Sequence, residues 1–351
     1  MSSKAYPTRK LGQNGPLVSA VGFGAMGIGA WYGQTDSEKV IKTLTYAADR
    51  GVTFWDTADV YGNSEDTIGQ WFTTTGRRSE IFLATKFGSV DKRLLEKQIY
   101  KPNSKPAYIR QQLGESLKNL QTDTIDLYYQ HRVDPEVPIE VVMETLGEFV
   151  KAGKIKYIGL SECSIDVLRR AKAVPVAGEK LVACQMEFSP FELEIEKSGF
   201  VSAARELGVA VVAYSPLGRG MITGRFKSRA DFEPTDLRQM MPRFAEENFP
   251  KSLEVVDKFR AIASKYDATP GQIALAWILA EHPDFVPIPG TRTVERLEEN
   301  AKAAEITLSS EDVKALKAVV EGADVRGGRF PEQFASLMNT ECIPLSEWKG
   351  E

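Results

Sequence analysis

Four side chains that can transfer protons or hold charge stand at or just beyond the ends of three predicted β-strands. Asp56 ends the second predicted strand, and Tyr61 follows it in the next loop. Lys86 ends the third predicted strand and His131 the fourth. A lone polar residue at such a position usually has a structural role, whereas four complementary groups on adjacent strands indicate a reactive site.

The four residue types suit hydride transfer to a carbonyl group. As hydride reaches the carbon, the oxygen gains negative charge and needs a proton donor. A tyrosine with a pKa of about 10 is protonated at neutral pH, so we expect Tyr61 to donate. In the reverse reaction a nearby Lys86 cation would ease the ionisation of Tyr61. Asp56 would hold Lys86 charged, and His131 would orient the carbonyl and donate to its oxygen.

The predicted strands and helices that position these residues indicate an α/β fold, a (β/α)8 TIM barrel. Short apolar or β-branched runs alternate with helix-length segments, and the runs lack the strict alternation of half-exposed strands. The predicted strands are Val18–Phe23, Val52–Trp55, Ile81–Thr85, Ile125–Tyr129, Lys156–Leu160, Leu181–Gln185, Val209–Ala213 and Phe285–Ile288. The predicted helices are one from a capping box of Thr35 and Glu38 to Gly51, then Pro106–Leu120, Pro138–Ala152, Ile165–Ala173, Phe200–Leu207, Pro270–Ala280 and Val294–Ala303. Barrel strands all end at the face that carries active sites.

Additional segments surround the predicted barrel. Asn14-Gly15 is a strong hairpin turn signal and predicts an N-terminal β-hairpin. Segments 89–105 and 218–250 follow the third and seventh strands, so they are lids, pocket walls or passive loops. An extra helix and a tail, residues 321–351, follow the barrel. Since no linker or change of composition interrupts the chain, we expect one domain over residues 1–351, with the barrel core at about 17–320.

Composition argues against several classes of protein. A net charge of −4 over 351 residues, with no basic stripe, disfavours nucleic acid and anionic lipid as partners. No apolar run reaches transmembrane length, and residues 1–10 lack a signal-peptide core. Cys163, Cys184 and Cys342 form no CxxC pair and indicate neither a disulfide framework nor a zinc site. We therefore expect a cytoplasmic protein without a metal, a nucleic-acid partner or a membrane.

A glycine motif near the N-terminus resembles a Rossmann dinucleotide-binding site, but its surroundings do not fit one. Gly22-Phe23-Gly24-Ala25-Met26-Gly27 matches the G-x-G-x-x-G pattern of Rossmann folds. That site needs a helix to open at the glycines, but residues 28–34 intervene before the predicted helix. The acidic residue expected about 20 residues further on is also missing. The glycines instead let the exit of the first strand turn tightly or approach a ligand closely.

A second feature suits a phosphate group. Arg292 and Arg296 lie four residues apart at the start of a predicted helix, so they share one face and add to the attraction of the helix N-terminus for anions. Such a pocket fits the 2′-phosphate that distinguishes NADP from NAD. Spacing alone fits a solvated charged face equally well, because Glu295, Glu298 and Glu299 are close by.

The strand-end motifs resemble those of the aldo-keto reductase superfamily. The motifs are Asp56-Thr57-Ala58-Asp59-Val60-Tyr61-Gly62, Ala84-Thr85-Lys86-Phe87-Gly88 and Asp126-Leu127-Tyr128-Tyr129-Gln130-His131-Arg132. The likeness runs from about residue 11 to 316 and is greatest to the perakine-reductase and auxin-induced-protein branch. It implies NADPH-dependent, reversible reduction of an aldehyde or ketone to an alcohol, that is, an NADP-type alcohol dehydrogenase. The implied tetrad is Asp56, Tyr61 as general acid and base, Lys86 and His131.

The same resemblance implies an NADP(H) site built from several segments. Tyr214 would stack on the nicotinamide, Ser161 and Gln185 would hold its carboxamide, and the residues from Gly290 onward would bind the adenosine phosphate. Glu162 stands where many relatives have asparagine, so its contact must differ, because an ionised carboxylate only accepts hydrogen bonds. The expected cofactor residues are Gly24, Met26, Asp56, Ser161, Glu162, Gln185, Tyr214, Ser215, Pro216, Leu217, Gly218, Arg219, Gly290, Thr291, Arg292, Arg296, Glu299 and Asn300.

Aromatic residues near the strand ends are candidates for a substrate pocket. Trp31 and Tyr32 follow the first strand and Phe87 the third, and plain packing explains them equally well. His282, at a helix end before Pro283, is predicted to lie on the surface.

Two other functions compete with carbonyl reduction. A Schiff-base lyase or aldolase would use Lys86 as a nucleophile with a pKa near neutrality, whereas Asp56 would keep this lysine charged. A non-catalytic binding protein would keep only the nucleotide site, as potassium-channel β subunits with this fold do, but the complete tetrad argues against lost catalysis. The expected partner is a small carbonyl compound, and its identity and the oligomeric state stay open.

Overall fold

Short runs of apolar and β-branched residues form the strands of the computed structural model, which describes residues 5–29, 36–233 and 236–351. The longer strands are almost wholly buried, as parallel strands covered by helices must be. The strands are β1 Thr8–Lys10, β2 Leu17–Ser19, β3 Phe23–Gly24, β4 Phe54–Asp56, β5 Phe82–Phe87, β6 Ile125–Gln130, β7 Ile155–Ser161, β8 Leu181–Glu187, β9 Ala210–Tyr214 and β10 Phe285–Pro287.

Strands β3 to β10 pair in chain order and form an eight-stranded parallel sheet within the described ranges. The sheet curls until its two edges meet. Gly24 forms a parallel bridge with Gly290, and the N–H of Gly22 donates to the carbonyl oxygen of Pro287 at 2.9 Å. This closure confirms the predicted (β/α)8 TIM barrel.

The predicted strand 18–23 is wrong in extent, because it joins two strands of different sheets. β1 and β2 form the predicted N-terminal hairpin, in which Arg9 faces Val18, and the barrel strand β3 begins only at Phe23. The apolar run is continuous because residues 18–23 are all buried, although Val18 joins one core cluster and Phe23 the other. A hydrophobic pattern therefore could not separate the hairpin from the first barrel strand.

Helices cover the outside of the barrel, and no helix in the described part of the chain is long and apolar enough to cross a membrane. The α-helices are α1 Met26–Gly29, α2 Ser37–Arg50, α3 Ser64–Thr75, α4 Pro106–Asn119, α5 Ile139–Lys151, α6 Ile165–Ala173, α7 Ala177–Lys180, α8 Glu194–Lys197, α9 Phe200–Glu206, α10 Phe249–Ala263, α11 Pro270–Glu281, α12 Val294–Lys302 and α13 Ser310–Glu321. The 3-10 helices are Arg78–Glu80, Lys92–Lys97, Gly218–Thr223, Arg229–Asp231, Leu237–Met240, Pro242–Phe244, Ser264–Tyr266, Ala303–Glu305, Glu332–Met338 and Leu345–Glu347.

Helix α2 does not begin with the predicted capping box. Its N-cap is Asp36 rather than Thr35, which lies outside the described residues, and the Asp36 carboxylate accepts from the N–H of Glu38 at 3.0 Å. Aspartate is among the best N-cap residues, so it competes well with a neighbouring threonine. Gly51 ends the helix in the left-handed conformation, as predicted.

Helix α3 has no counterpart among the predicted helices. Its sequence is rich in threonine, a β-branched residue and a weak helix former. The hydroxyls of Thr74 and Thr75 donate to carbonyl oxygens one turn earlier, both at 2.7 Å, while Ile68 and Trp71 are fully buried. Packing of this apolar face therefore outweighs the weak helix propensity.

His282 is buried, so its predicted surface location is wrong. Its ring stacks on Phe285 with a centroid separation of 4.1 Å, and its Nε2 lies 3.0 Å from a carboxylate oxygen of Glu196. The neighbouring helix α8 supplies Glu196 and covers the end of α11. Sequence position at a helix end could not reveal that covering element.

The C-terminal tail crosses the face at which the barrel strands end. The N–H of Ser164, just after β7, donates to the carbonyl oxygen of Thr340 at 3.0 Å. Ile343 is held on both of its backbone groups: its N–H donates to Pro135 at 3.2 Å, and its carbonyl oxygen accepts from Arg170 at 2.9 Å. The last part of the chain is therefore fastened near the exits of β6 and β7.

Gly24→Ala should destabilise the barrel, because a Cβ at this position would lie 2.8 Å from the carbonyl oxygen of Ile288 at the closure. The neighbouring atom belongs to the backbone, so we expect the free energy of unfolding to fall by about 1–3 kcal/mol. Gly114→Ala is the matched control in α4, where nothing lies within 4 Å of the added Cβ, and should gain about 0.5–1 kcal/mol. Denaturant unfolding that ranks the two variants equally would contradict this account of the closure.

Candidate active site

The exits of β4, β5 and β6 bring the four polar residues together at one side of the barrel mouth. The Lys86 ammonium donates to a carboxylate oxygen of Asp56 at 2.5 Å and to the carbonyl oxygen of Thr57 at 2.7 Å. The same ammonium lies 4.9 Å from the centre of the Tyr61 ring. The Tyr61 and His131 rings meet almost at right angles, with centroids 5.8 Å apart.

Lys86 is held as a cation inside the protein. Its side chain is fully buried, and burial alone would disfavour the charge, but the Asp56 carboxylate and then the Tyr61 hydroxyl raise the pKa of Lys86 above its usual value. Gln185 supports this arrangement, because its amide nitrogen donates to the second carboxylate oxygen of Asp56 at 2.8 Å. The lysine is therefore a fixed positive charge, not a free amine.

Tyr61 and His131 are both neutral in this environment. Burial raises the pKa of Tyr61, although the Lys86 cation opposes that change, so the phenol keeps its proton. Burial lowers the pKa of His131 well below its usual value, and the charges of Arg132 and Lys86 add to the effect. The site thus presents a protonated phenol and an uncharged imidazole side by side.

A cavity of about 510 Å³ opens above these groups and continues along the strand ends. Residues within 214–233, 236–241, 288–300 and 330–338 line it together with the exits of the strands. Segment 218–250 therefore contributes a pocket wall with its described residues up to Met241, and the tail does so with residues between 330 and 338, whereas segment 89–105 contributes only Ser89. A volume of this size accommodates a small-molecule ligand.

Most of the residues expected at the cofactor line this cavity. They are Gly24, Met26, Asp56, Ser161, Gln185, Tyr214, Ser215, Pro216, Leu217, Arg219, Gly290, Thr291, Arg292, Arg296, Glu299 and Asn300. Glu162 and Gly218 do not line it. The Tyr214 hydroxyl is buried without a hydrogen-bond partner among the described residues.

One end of the cavity concentrates positive charge. Arg296 follows the N-cap Thr293 of helix α12, and burial together with the charges of Arg225, Arg292 and Arg238 lowers its pKa. Several guanidinium groups beside a helix N-terminus make a favourable site for a phosphate. Arg225 and Arg238 were not identified from the sequence, because they come from an irregular segment that only the fold brings to α12.

Comparison with models of protein families identifies the family of this chain. The model of the Aldo/keto reductase family matches residues 20–321. This chain belongs to the aldo/keto reductase family. The match covers the whole barrel, so the strand-end cluster and the arginine-rich end of the cavity both lie inside it.

Individual aldo/keto reductases are similar over nearly their full length. The aldo-keto reductase str7 of Strobilurus tenacellus is 48% identical over 96% of this chain and 99% of its own. The aldo-keto reductase yakc [NADP(+)] of Schizosaccharomyces pombe is 48% identical over 97% of this chain and 99% of its own. Among solved structures, the glycerol dehydrogenase AKR11B4 of Gluconobacter oxydans has a TM-score of 0.79 at 28% identity, over 93% of this chain and 98% of that one.

Glu162, which was expected at the nicotinamide, contacts a partner that does not line the cavity. Its carboxylate accepts two hydrogen bonds from Arg329 in the tail, at 3.1 and 2.7 Å. A third comes from the backbone N–H of Glu187 at 3.1 Å. Arg329 could not be identified as this partner from the sequence, because 167 residues separate it from Glu162.

Of the three aromatic residues considered for a substrate pocket, the structure describes Phe87 alone. Phe87 is fully buried, packs on Tyr128 with a centroid separation of 5.1 Å and lies outside the cavity, so its expected place in the pocket is corrected. It is the last residue of β5, and its ring turns toward the helices while the preceding Lys86 turns inward. Trp31 and Tyr32 lie outside the described residues.

Arg132 is a cavity residue that the sequence analysis did not single out. Its guanidinium donates to the carbonyl oxygen of His131 at 2.8 Å and lies 3.5 Å from the hydroxyl of Ser161. It therefore connects the exit of β6 with that of β7. Its only sequence signal was its place directly after His131.

Asp59 is a second residue that sequence reasoning passed over. Its carboxyl group is buried without a hydrogen-bond partner among the described residues, and the nearest cation, Lys92, is 3.9 Å away. Burial raises the pKa of Asp59 to about 8, with Lys92 opposing the rise. The folded protein thus holds a protonated carboxyl group close to the exits of β4 and β5.

Asp59→Asn should make the protein more stable in alkaline solution. An unfolded chain ionises Asp59 near pH 3.8, whereas the folded chain keeps its proton up to about pH 8, so wild-type stability falls across that window. Asparagine resembles the neutral acid and removes this loss. We expect the gain over wild type to be near zero at pH 4 and at least about 1 kcal/mol at pH 8.

Thermal unfolding at a series of pH values measures this difference. Asp66→Asn, which changes an exposed aspartate in the first turn of α3, should show no gain that grows with pH. A gain for Asp59→Asn that is constant across the range would contradict the burial of a protonated Asp59.

Proposed function

We propose that this aldo/keto reductase reduces an aldehyde or a ketone to an alcohol with NADPH, and runs the reverse reaction with NADP⁺. The observation that carries the proposal is the geometry of the cluster: Tyr61 and His131 line one cavity with their rings 5.8 Å apart, and the Lys86 ammonium lies 2.5 Å from Asp56 and 4.9 Å from the centre of the Tyr61 ring. The directions of the pKa shifts favour a protonated Tyr61, a neutral His131 and a charged Lys86. Carbonyl reduction needs a proton donor and a polarising group at the oxygen, and this arrangement provides both.

The cofactor proposal rests on the shape and charge of the cavity. The arginines at its far end, with Arg292 and Arg296 at the start of α12, suit the 2′-phosphate of NADP(H). The relative yakc, 48% identical, carries NADP(+) in its name. When bound, the reduced nicotinamide supplies the hydride that reaches the carbonyl carbon.

Each member of the proposed tetrad has a distinct task. Tyr61 donates its proton to the carbonyl oxygen as negative charge develops there. His131, being neutral, donates a hydrogen bond that orients the carbonyl group without competing for the proton. Lys86, fixed by Asp56, stabilises the tyrosinate that forms after donation and the one needed for alcohol oxidation.

The motifs around the tetrad support a finer placement within the family. We place the chain in the perakine-reductase and auxin-induced-protein branch, on the strength of the 56–62, 84–88 and 126–132 motifs. A Schiff-base lyase is disfavoured by the ion pair of Lys86 and Asp56, because protonation removes the lone pair that such chemistry requires.

Tyr61→Phe should abolish turnover while leaving NADPH binding nearly intact, because only the proton donor is removed. We expect kcat to fall by at least about 100-fold. NADPH consumption with aryl aldehydes, aliphatic aldehydes, sugars, pyridoxal and quinones measures turnover, and cofactor fluorescence measures binding. Tyr157→Phe, at the other end of β7 from the cavity, serves as control. Near-wild-type turnover of Tyr61→Phe would refute the proposed mechanism.

Arg292→Ala should weaken NADPH far more than NADH, because only NADPH has a 2′-phosphate for the guanidinium. Losing one such charged contact should raise the Kd of NADPH by about tenfold or more. Titration of both cofactors by fluorescence gives the ratio, and Arg110→Ala, an exposed arginine of α4 paired with Glu148, is the control. Equal weakening of both cofactors would mean that the phosphate binds elsewhere.

A further inference from the structure

The Glu162 carboxylate accepts its hydrogen bonds from groups on the side away from the cavity. Arg329 approaches it with two nitrogens, one on each carboxylate oxygen, and the N–H of Glu187 fills a further lone pair. The carboxylate side chain is only 3% exposed. A paired planar contact between guanidinium and carboxylate is the strongest and most directional form of ion pair in proteins.

The pair requires Glu162 to be charged, and its surroundings keep it so. Burial works toward a higher pKa, but hydrogen bonds and charge attraction from Arg329, with a contribution from Arg132, hold the pKa of Glu162 below its usual value. The residue also adopts a left-handed backbone conformation, with φ at +51°, which non-glycine residues rarely occupy. Both features indicate that the contact determines the placement of this side chain.

Arg329 belongs to the stretch of tail that forms a wall of the cavity. Directly after it, Phe330 lines the cavity, followed by Phe334, Leu337 and Met338. The Arg219 guanidinium lies 4.7 Å from the centre of the Phe330 ring. The wall next to Arg329 is therefore apolar, with the ion pair at its edge.

A second carboxylate ties this wall to the segment expected to cover the cofactor. Glu187 lies 3.7 Å from Arg329 and 3.5 Å from Arg219. The ends of β7 and β8 thus hold one arginine from the tail and one from the segment after β9. The ion pair holds the wall at its N-terminal end. The backbone contacts of Thr340 and Ile343 near β6 and β7 hold it at its C-terminal end.

We propose that Glu162 and Arg329 act as a positioning pair, which fastens the tail as the apolar wall of the substrate pocket and selects carbonyl compounds with an aromatic or extended apolar body. Glu162 then serves the tail instead of the nicotinamide carboxamide. The role of the pair in substrate selection rests on the proposed carbonyl reduction.

The chemistry of the wall sets the substrate class. The aldehyde or ketone group must reach Tyr61 and His131, and the tail lines the same cavity as these two residues. The proposal therefore sets the remainder of the molecule against the tail. Phe330, Phe334 and Leu337 offer aromatic and aliphatic surface there and gain from covering an apolar body. A two- or three-carbon aldehyde is too short to benefit from that contact.

The test compares variants of the pair in the full-length protein. Arg329→Met removes the charge, Arg329→Lys keeps the charge but not the paired contact, and Arg326→Met changes an exposed arginine three residues earlier as the matched control. Glu162→Gln is the milder second variant, because its amide oxygen still accepts from Arg329. Readouts are the KM and kcat for 2-naphthaldehyde and for propanal, the Kd of NADPH, and hydrogen exchange of segment 329–338 without cofactor.

For Arg329→Met we expect the KM for 2-naphthaldehyde to rise by about tenfold more than the KM for propanal, while kcat for either aldehyde changes much less. Hydrogen exchange in segment 329–338 should become faster in both Arg329→Met and Glu162→Gln. Arg329→Lys should recover part of the lost selectivity, and Arg326→Met should match the wild type. The Kd of NADPH should change far less than the KM for 2-naphthaldehyde.

Two results would overturn the positioning pair. One is a large rise in the Kd of NADPH in Glu162→Gln with unchanged hydrogen exchange of the tail, which would mean that Glu162 contacts the nicotinamide carboxamide. The other is an equal loss for both aldehydes with unchanged exchange. A wild-type protein that binds NADPH but reduces no aldehyde or ketone would instead refute the proposed function, and with it the role of the pair in substrate selection. The hydrogen-exchange data would still show whether the pair fastens the tail.

Discussion

The buried ion pair between Lys86 and Asp56 is the interaction on which the site depends. Neither side chain reaches solvent, and their atoms are 2.5 Å apart. A lone charge at this depth would be very costly, but a carboxylate that also accepts from Gln185 keeps the ammonium charged. Burial is the main reason that Tyr61 and His131 are neutral, and the fixed cation modifies both, since it opposes the raised pKa of Tyr61 and adds to the lowered pKa of His131.

Closure of the barrel allows this ion pair to be buried. The bridge between Gly24 and Gly290 completes the ring of strands, and apolar side chains fill its interior below the mouth. The polar groups of the site stand at the strand exits. The cavity above them is lined by Arg292 and Arg296 near the start of α12, and by Phe330, Phe334, Leu337 and Met338 of the tail.

Much of the fold was predictable because barrel strands have a simple pattern. Continuous apolar runs located the strands, and the polar residues at their ends located Asp56, Lys86 and His131. The errors have physical causes. The hairpin and the first barrel strand merged because residues 18–23 are buried without interruption, even though Val18 and Phe23 join different core clusters. Helix α3 was missed because threonine is a weak helix former. Phe87 was misplaced because alternation along β5 sends neighbouring side chains to opposite faces.

The residues that could do chemistry were identifiable from local sequence, since side-chain type and position at a strand end are both encoded locally. The helix N-terminus with Arg292 and Arg296 was identifiable in the same way. The charge states of these residues depend on the folded chain, because burial and neighbouring charges come from segments distant along the sequence. The same holds for Glu162, whose partner Arg329 lies 167 residues away and reaches it only once the tail has folded across the barrel.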